Sequence, residues 1–152
     1  MENVERWIRQ SPLSDPASHA GLIFGLPSAI GALNRIVQGL LSHSDWLTLY
    51  GLADENQASR RTLPVAERLD AIRATDSRDL RLPRPPDRRA VGTCRDFALL
   101  LCAFLRDKGI PARVRCGFAS YFARPWEDHW VCEYWDRQTQ CWRLSDAQLD
   151  SF

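Results

Sequence analysis

Residues 92–118 read GTCRDFALLLCAFLRDKGIPARVRCGF, and this stretch decides the fold. Thr93 and Asp96 have the spacing of a capping box, which predicts a helix that begins just after Thr93. Gly109 and Pro111 mark where this helix ends. The residues between these signals are mostly apolar, so we predict a central and largely buried helix.

Three strands are predicted after this helix. Apolar and polar residues alternate over residues 112–118, as they do in a half-buried strand. The segments HWVCEYW at 129–135 and CWRL at 141–144 are separated by DRQTQ, which is typical of a hairpin connection. We therefore predict an antiparallel sheet on which the buried helix packs.

The first half of the chain is predicted to be helical. Residues 30–41 carry apolar side chains at the spacing of one helix face, and Ser28 can cap this helix. A second helix is predicted over residues 64–74, with Pro64 at its first position. Residues 76–91 are rich in arginine and proline, which favours an ordered loop. Helices followed by antiparallel strands indicate the α+β fold class.

The length of the chain limits the number of domains. With 152 residues, 45% of them apolar, it can bury one packed core but is too short for two independent domains. We predict a single domain over residues 1–152. It comprises a helical lead-in over 1–75, the arginine- and proline-rich loop over 76–91, and the core that carries the chemistry over 92–150.

Composition argues against several kinds of partner. The 20 basic and 19 acidic residues give a net charge of +1, so no overall field attracts nucleic acid or an anionic membrane. Glu2 and Glu5 stand where a secretory signal has a basic start, and the longest apolar stretch, residues 21–33, is too short to span a membrane. We therefore expect a cytoplasmic protein without nucleic-acid or membrane partners. The oligomeric state stays open.

Five cysteines stand at positions 94, 102, 116, 132 and 141. Their number is odd and no pair has the CxxC spacing of a zinc or redox motif, so free thiols are expected and a zinc site has no support. Cys94 falls in the first turn of the predicted buried helix, where unpaired backbone amides and the helix dipole favour a thiolate. The other four are expected to be small buried residues.

A base for Cys94 can be sought in the predicted hairpin. With a loop at residues 136–139, the strand register places His129 opposite Asp146, close enough for a hydrogen bond. Asp146 can then orient the imidazole of His129, which takes the proton of Cys94. The backbone amide of Cys94 is a candidate oxyanion donor, and no second donor is evident. His43 is predicted only to cap the end of the first helix.

Three segments resemble the core of the transglutaminase-like superfamily, namely residues 92–118, DHWVCEYWD at 128–136 and WRLSDAQLD at 142–150. The resemblance is to bacterial-type members, and the superfamily shares a papain-like fold with a Cys, His, Asp triad. It implies that the triad is Cys94, His129 and Asp146 and that the protein needs no metal and no cofactor. One departure is that His129 and Trp130 adjoin, where the family commonly has one residue between the two.

These predictions together describe a cysteine-dependent acyl-transfer enzyme. The thiolate would attack the carbonyl carbon of an amide in a peptide or a small molecule and form a thioester acyl-enzyme. Water as the second acceptor makes the enzyme a hydrolase or peptidase, whereas an amine makes it a transamidase. The alternative hypothesis is a non-catalytic binding or scaffold protein that retains the fold.

Overall fold

The computed structural model of the protein describes residues 3–53 and 61–149. Residues 1–2, 54–60 and 150–152 of the predicted domain lie outside these ranges. The described residues form four α-helices and five β-strands, and none of the helices is long and apolar enough to cross a membrane. The helices are α1 (Ala20–Phe24), α2 (Ile30–Leu40), α3 (Val65–Thr75) and α4 (Cys94–Asp107), and the strands are β1 (Leu41–His43), β2 (Ala90–Gly92), β3 (Ala112–Ala119), β4 (Glu127–Asp136) and β5 (Cys141–Ser145).

Helix α4 forms the centre of the molecule, as predicted. Every residue from 96 to 105 is buried. The helix begins after Thr93, and Gly109, with φ of +69°, lies just beyond its end in the left-handed conformation that glycine adopts easily. It packs against α2, α3, β3 and β4, so both halves of the chain share one core. The largest apolar side chains that α4 contributes are Phe97, Leu100, Leu101, Phe104 and Leu105.

The main sheet has three antiparallel strands in the order β3-β4-β5. Strand β4 is central, and β5 pairs with only part of it, from Cys132 to Asp136. Within residues 3–53 and 61–149, no strand pairs with that edge of β4 over residues 127–131, which lie close to the start of α4. Helices thus precede an antiparallel sheet on which α4 packs, which confirms the predicted α+β class.

A separate pair of parallel strands joins the two halves of the chain. Strand β1 follows α2 directly and pairs with β2, so that Leu41 lies opposite Ala90 and His43 opposite Gly92. Strand β2 leads through Thr93 into α4. The pairing therefore places His43 beside the segment that delivers Cys94.

The start of α4 is fixed by a buried ion pair. The Arg68 guanidinium on α3 lies 2.6 Å from the Asp96 carboxylate, and both side chains are almost fully buried. Asp96 also accepts hydrogen bonds from the Thr93 amide at 2.8 Å and the Thr93 hydroxyl at 3.1 Å. A Cβ on Gly92 would lie 3.1 Å from the Asp96 Cβ, which is tighter than nearly all such contacts. A glycine before Thr93 therefore makes room for the capping carboxylate.

The predicted helix starts and the predicted loop need small corrections. Helix α2 has Ala29, not Ser28, at its N-cap, and no side chain caps it. Pro64 is the N-cap of α3 rather than its first helical residue. The arginine- and proline-rich segment is not a loop throughout, because its last residues, Ala90 and Val91, belong to β2. These residues pair with a strand far away in sequence, which local periodicity does not reveal.

The burial predicted for β3 and for the cysteines is only partly correct. Ala112 and Ala119, at the two ends of the strand, are buried, but Cys116 and Phe118 are exposed. Cys102 and Cys132 are buried as expected, whereas Cys141 is exposed. Alternation of apolar and polar residues predicts that a strand exists, but not how far the packing partner extends.

The predicted hairpin register is wrong by two residues. Asp136 pairs with Cys141, so the loop is residues 137–140, and Ser145 lies opposite Cys132. Extending this register by one residue sets Asp146 opposite Val131, diagonal to His129. A shift of two keeps every side chain on its predicted face, because strand side chains alternate with a period of two. The contact between His129 and Asp146 therefore survives the error.

Candidate active site

Cys94 occupies the first turn of α4 at the edge of a cleft of about 300 Å³. The N–H groups of a first helical turn have no partner inside the helix, and the positive end of the helix dipole lies there, so a thiolate is favoured. Asp96 in the same turn does not oppose this, because its carboxylate is bound by Thr93 and Arg68.

His129 and Asp146 form a short hydrogen bond. The Nε2 of His129 donates to Oδ2 of Asp146 at 2.7 Å, and the His129 side chain is only 4% exposed. Asp146 follows β5 immediately and accepts two further hydrogen bonds, from the Tyr121 hydroxyl at 2.8 Å and the Gln148 amide at 3.0 Å. Burial raises the pKa of Asp146, but the hydrogen bond and the positive charge of His129, together with the hydrogen bonds from Tyr121 and Gln148, outweigh burial and the net pKa is lowered. The carboxylate is thus charged and fixed in place.

Strand β5 brings Asp146 to this position with the help of α2. The Ser145 hydroxyl receives a hydrogen bond from Asn34 Nδ2 at 2.8 Å and lies 3.2 Å from Asn34 Oδ1. Both groups are partly buried, so this link ties the end of the sheet to the helical half of the chain. The position of the carboxylate therefore depends on a helix more than a hundred residues away.

Cys94 and His129 line the same cleft, and the interaction of the thiol with the imidazole lowers the pKa of Cys94. Because Nε2 of that ring is bound to Asp146, the nitrogen that faces the sulfur is Nδ1. The amide of Trp130 also donates to the sulfur. All three predicted residues are therefore brought together, with the histidine between the thiol and the carboxylate.

The electrostatics of the site favour a charged pair. Burial raises the pKa of Cys94. The interactions with His129, His43 and the Trp130 amide lower this pKa by more than burial raises it, and the net pKa is about 6. Burial lowers the pKa of His129, but the hydrogen bonds with Asp146 and Cys94 raise it to about 9. Between these two values Cys94 is a thiolate and His129 an imidazolium. This is the protonation state that a nucleophilic thiol requires.

His43 is a fourth residue of the candidate site, and its place there was not predicted from the sequence. It does not cap a helix C-terminus but ends β1, is 7% exposed, and is hydrogen-bonded to the Cys94 sulfur. Its ring lies against Trp46, with centroids 5.4 Å apart, and Phe97, at 6.3 Å. A histidine after an apolar run was the only signal in the sequence, and a helix cap explains that signal equally well. The other histidine, His19, is bound to Asp70 at 2.8 Å and lies outside the site.

The walls of the cleft combine aromatic and acidic side chains. Trp46, Phe122 and Trp130 line it, and Asp45, Glu127 and Asp128 contribute carboxylates. The segment between β3 and β4 packs against His129, because the Phe122 ring lies 4.8 Å and the Tyr121 ring 6.0 Å from the ring of His129. Across residues 3–53 and 61–149, no three histidine, cysteine, aspartate or glutamate side chains are arranged to hold a metal ion.

Residues 82–147 match the family model of the transglutaminase-like superfamily. That region contains Cys94, His129 and Asp146, and the match confirms the resemblance predicted from the sequence. The fold also matches a solved structure described as a "Putative Cysteine Protease from Cytophaga hutchinsonii", with a TM-score of 0.65 and 20% sequence identity. The match covers 97% of this chain and 43% of that chain. It confirms the papain-like, transglutaminase-like fold. No curated protein matches this chain.

Proposed function

We propose that this protein is a cysteine-dependent acyl-transfer enzyme that acts on an amide through a thioester acyl-enzyme. The observation that carries the proposal is the ordered contact of three side chains, with Cys94 bound to His129 and His129 bound to Asp146 at 2.7 Å. In this proposal Cys94 is the nucleophile, His129 the general acid and base, and Asp146 the group that orients the ring.

The first half-reaction follows from the charged pair. The thiolate of Cys94 attacks the carbonyl carbon, a C–S bond forms, and the carbonyl electron pair moves to oxygen. When the carbonyl re-forms, the C–N bond breaks and the imidazolium of His129 gives its proton to the leaving amine. Asp146 stabilises the imidazolium and keeps Nδ1 directed at the reacting atoms. The product is an acyl group bound to sulfur.

The second half-reaction releases the acyl group. Neutral His129 takes a proton from the acceptor, which attacks the thioester and restores the thiolate. Water gives a carboxylic acid, and a primary amine gives a new amide. Three acidic residues, Asp45, Glu127 and Asp128, line the cleft against one arginine, Arg95, and this excess of acidic residues favours an acceptor or substrate that carries positive charge.

Selective labelling tests whether Cys94 is an activated nucleophile. At pH 7, iodoacetamide should alkylate Cys94 much faster than Cys116 and Cys141, because a thiolate reacts and a thiol does not. The exposed Cys116 and Cys141 are matched controls, since access alone would label them first. Labelling at equal rates, measured by peptide mass spectrometry, would contradict the proposal.

Acylation separates the enzyme from the non-catalytic alternative. Wild-type protein treated with p-nitrophenyl acetate should carry one acetyl group on Cys94, seen by intact mass, and should lose it with time. Cys94→Ala should abolish the adduct while leaving the thermal unfolding midpoint close to that of the wild type. A binding or scaffold protein would show no adduct that turns over.

A further inference from the structure

We infer that His43 is a further catalytic residue, whose Nε2–H donates a hydrogen bond to the carbonyl oxygen as it becomes negatively charged. This inference rests on the proposed function, because it assigns the second donor of the oxyanion hole in that reaction. The first donor is the backbone N–H of Cys94.

The placement of His43 comes from the strand pair β1-β2. His43 lies opposite Gly92, two residues before Cys94, and its side chain lines the same cleft as Cys94 and His129. The ring is held by Trp46 and Phe97, so its orientation is fixed before any substrate binds. A donor held in advance requires no reorganisation during the reaction, which is the property that makes such donors effective.

The tautomer of His43 follows from its neighbour Asp45. The Asp45 amide donates a hydrogen bond to Nδ1 of His43 at 3.2 Å. A nitrogen that accepts from a backbone N–H carries no proton of its own, so the proton of the neutral ring is on Nε2. Nε2 is therefore the ring atom whose N–H is available to the Cys94 sulfur, and this interaction lowers the pKa of the thiol. His43 cannot act as the base while Nδ1 is occupied in this way.

The charge on the reacting atoms explains why this donor serves the transition state. In the resting site the negative charge is on the Cys94 sulfur, and the interaction with His43 stabilises that charge. When the sulfur electron pair forms the C–S bond, the carbonyl electron pair moves to the substrate oxygen. The negative charge is then on that oxygen, and the sulfur no longer needs a hydrogen-bond donor. His43 and Cys94 both line the cleft in which that oxygen must lie. The proton of His43 is not transferred in this step, and His129 handles the proton transfers.

Two reagents distinguish this role from a purely structural one. Alkylation by iodoacetamide consumes the thiolate without forming an oxyanion, whereas acylation by p-nitrophenyl acetate passes through one. The nitrophenolate leaves with its electron pair and needs no proton, so acylation by this ester also bypasses the acid role of His129. The ratio of the two rate constants at Cys94 therefore reports oxyanion stabilisation.

His43→Phe keeps the ring packing and removes the donor, and His43→Gln keeps a side-chain N–H. In His43→Phe the ratio of acylation to alkylation should fall by about 10²–10³, the usual effect of losing one oxyanion donor. His43→Gln should recover part of that loss. A wild-type ratio in His43→Phe, or a ratio in His43→Gln no higher than in His43→Phe, would overturn the inference. Absence of acylation in the wild type would instead refute the proposed function itself.

A measurement on the unmutated protein covers the case in which a variant does not fold. In protein labelled with ¹⁵N-histidine, acetaldehyde converts Cys94 to a hemithioacetal that mimics the tetrahedral intermediate. The Nε2–H resonance of His43 should move downfield on formation of this adduct, and less after alkylation by iodoacetamide. Equal shifts with both reagents would show that the donor does not respond to the oxyanion and would overturn the inference.

Discussion

The contacts of Cys94 and His129 move their pKa values in opposite directions, to about 6 for the thiol and about 9 for the imidazole. Between these values both groups are charged. Burial alone would leave both groups neutral, with a raised pKa for the thiol and a lowered pKa for the ring. Donors to the sulfur and the carboxylate of Asp146 reverse both effects. The reactivity of Cys94 is therefore a property of its contacts.

The pH dependence of the reaction follows from these two groups. Alkylation of Cys94 should increase as the pH rises through about 6, because the thiol loses its proton there. Hydrolysis of an amide should decrease again above about 9, because the imidazolium that protonates the leaving amine is lost. Rate constants measured from pH 4 to 10 check both limits. An alkylation midpoint at the ordinary cysteine value of 9.0 would show that the thiol is not activated.

Asp146→Asn tests the orienting carboxylate. The amide has nearly the same shape but no charge, so the imidazolium of His129 is less stable and the alkylation midpoint of Cys94 should move to higher pH. Acyl turnover should fall by at least about tenfold, the factor that 1.36 kcal/mol of lost transition-state stabilisation produces. Tyr121→Phe is the matched control, because it removes another hydrogen bond to the same carboxylate without removing its charge. Equal losses in the two variants would contradict the role of the charge.

At the scale of elements, signals from residues close together in the sequence predicted the ends of helices and the presence of a hairpin. The capping pair Thr93 and Asp96 and the terminal Gly109 were sufficient to bound α4. The hairpin was predicted two residues out of register, yet His129 and Asp146 still met because the error was even. His43 could not be found in this way, since only the pairing of β1 with β2 brings it to Cys94.

Removing the buried ion pair between Arg68 and Asp96 at the start of α4 should lower the free energy of unfolding. Arg68→Met leaves the Asp96 carboxylate buried without its partner, and breaking such a pair costs about 3–5 kcal/mol of unfolding free energy. Arg137→Ala is the control. Both side chains of the ion pair between Arg137 and Glu5 are exposed, so this pair contributes at most about 1 kcal/mol to the free energy of unfolding. Urea denaturation of the two variants measures the difference. A similar midpoint for both would show that the buried pair does not hold the helix start.

At the scale of the whole molecule, the site is assembled from the full length of the chain. Helix α2 holds Ser145 next to Asp146, strand β1 supplies His43, and α4 supplies the nucleophile. The family match at residues 82–147 covers the three triad positions but not His43 or Asn34. The helical first half therefore contributes residues to the candidate site, through His43 and through the contact of Asn34 with Ser145.

Asn34→Ala should affect the candidate site through Ser145, which Asn34 contacts and which precedes Asp146. It removes the two contacts with the Ser145 hydroxyl, so unfolding free energy should fall by about 1–3 kcal/mol and the Asp146 carboxylate should be held less firmly. Acyl turnover should then fall with a smaller change in alkylation rate. Arg35→Ala, at an exposed position on the same helix, is the matched control. Loss of stability without loss of turnover would separate the helix from the chemistry.

The parallel pairing of residues 41–43 with 90–92 also sets an order of events in time. Contacts between positions so far apart along the polypeptide close late during folding, because a long loop must lose its freedom before they form. Until then the sulfur of Cys94 lacks its contact with His43, because only this pairing brings that ring to the start of α4. If the proposed reaction is correct, a copy in which this pairing has not formed lacks one of its two oxyanion donors and should acylate more slowly than the folded protein.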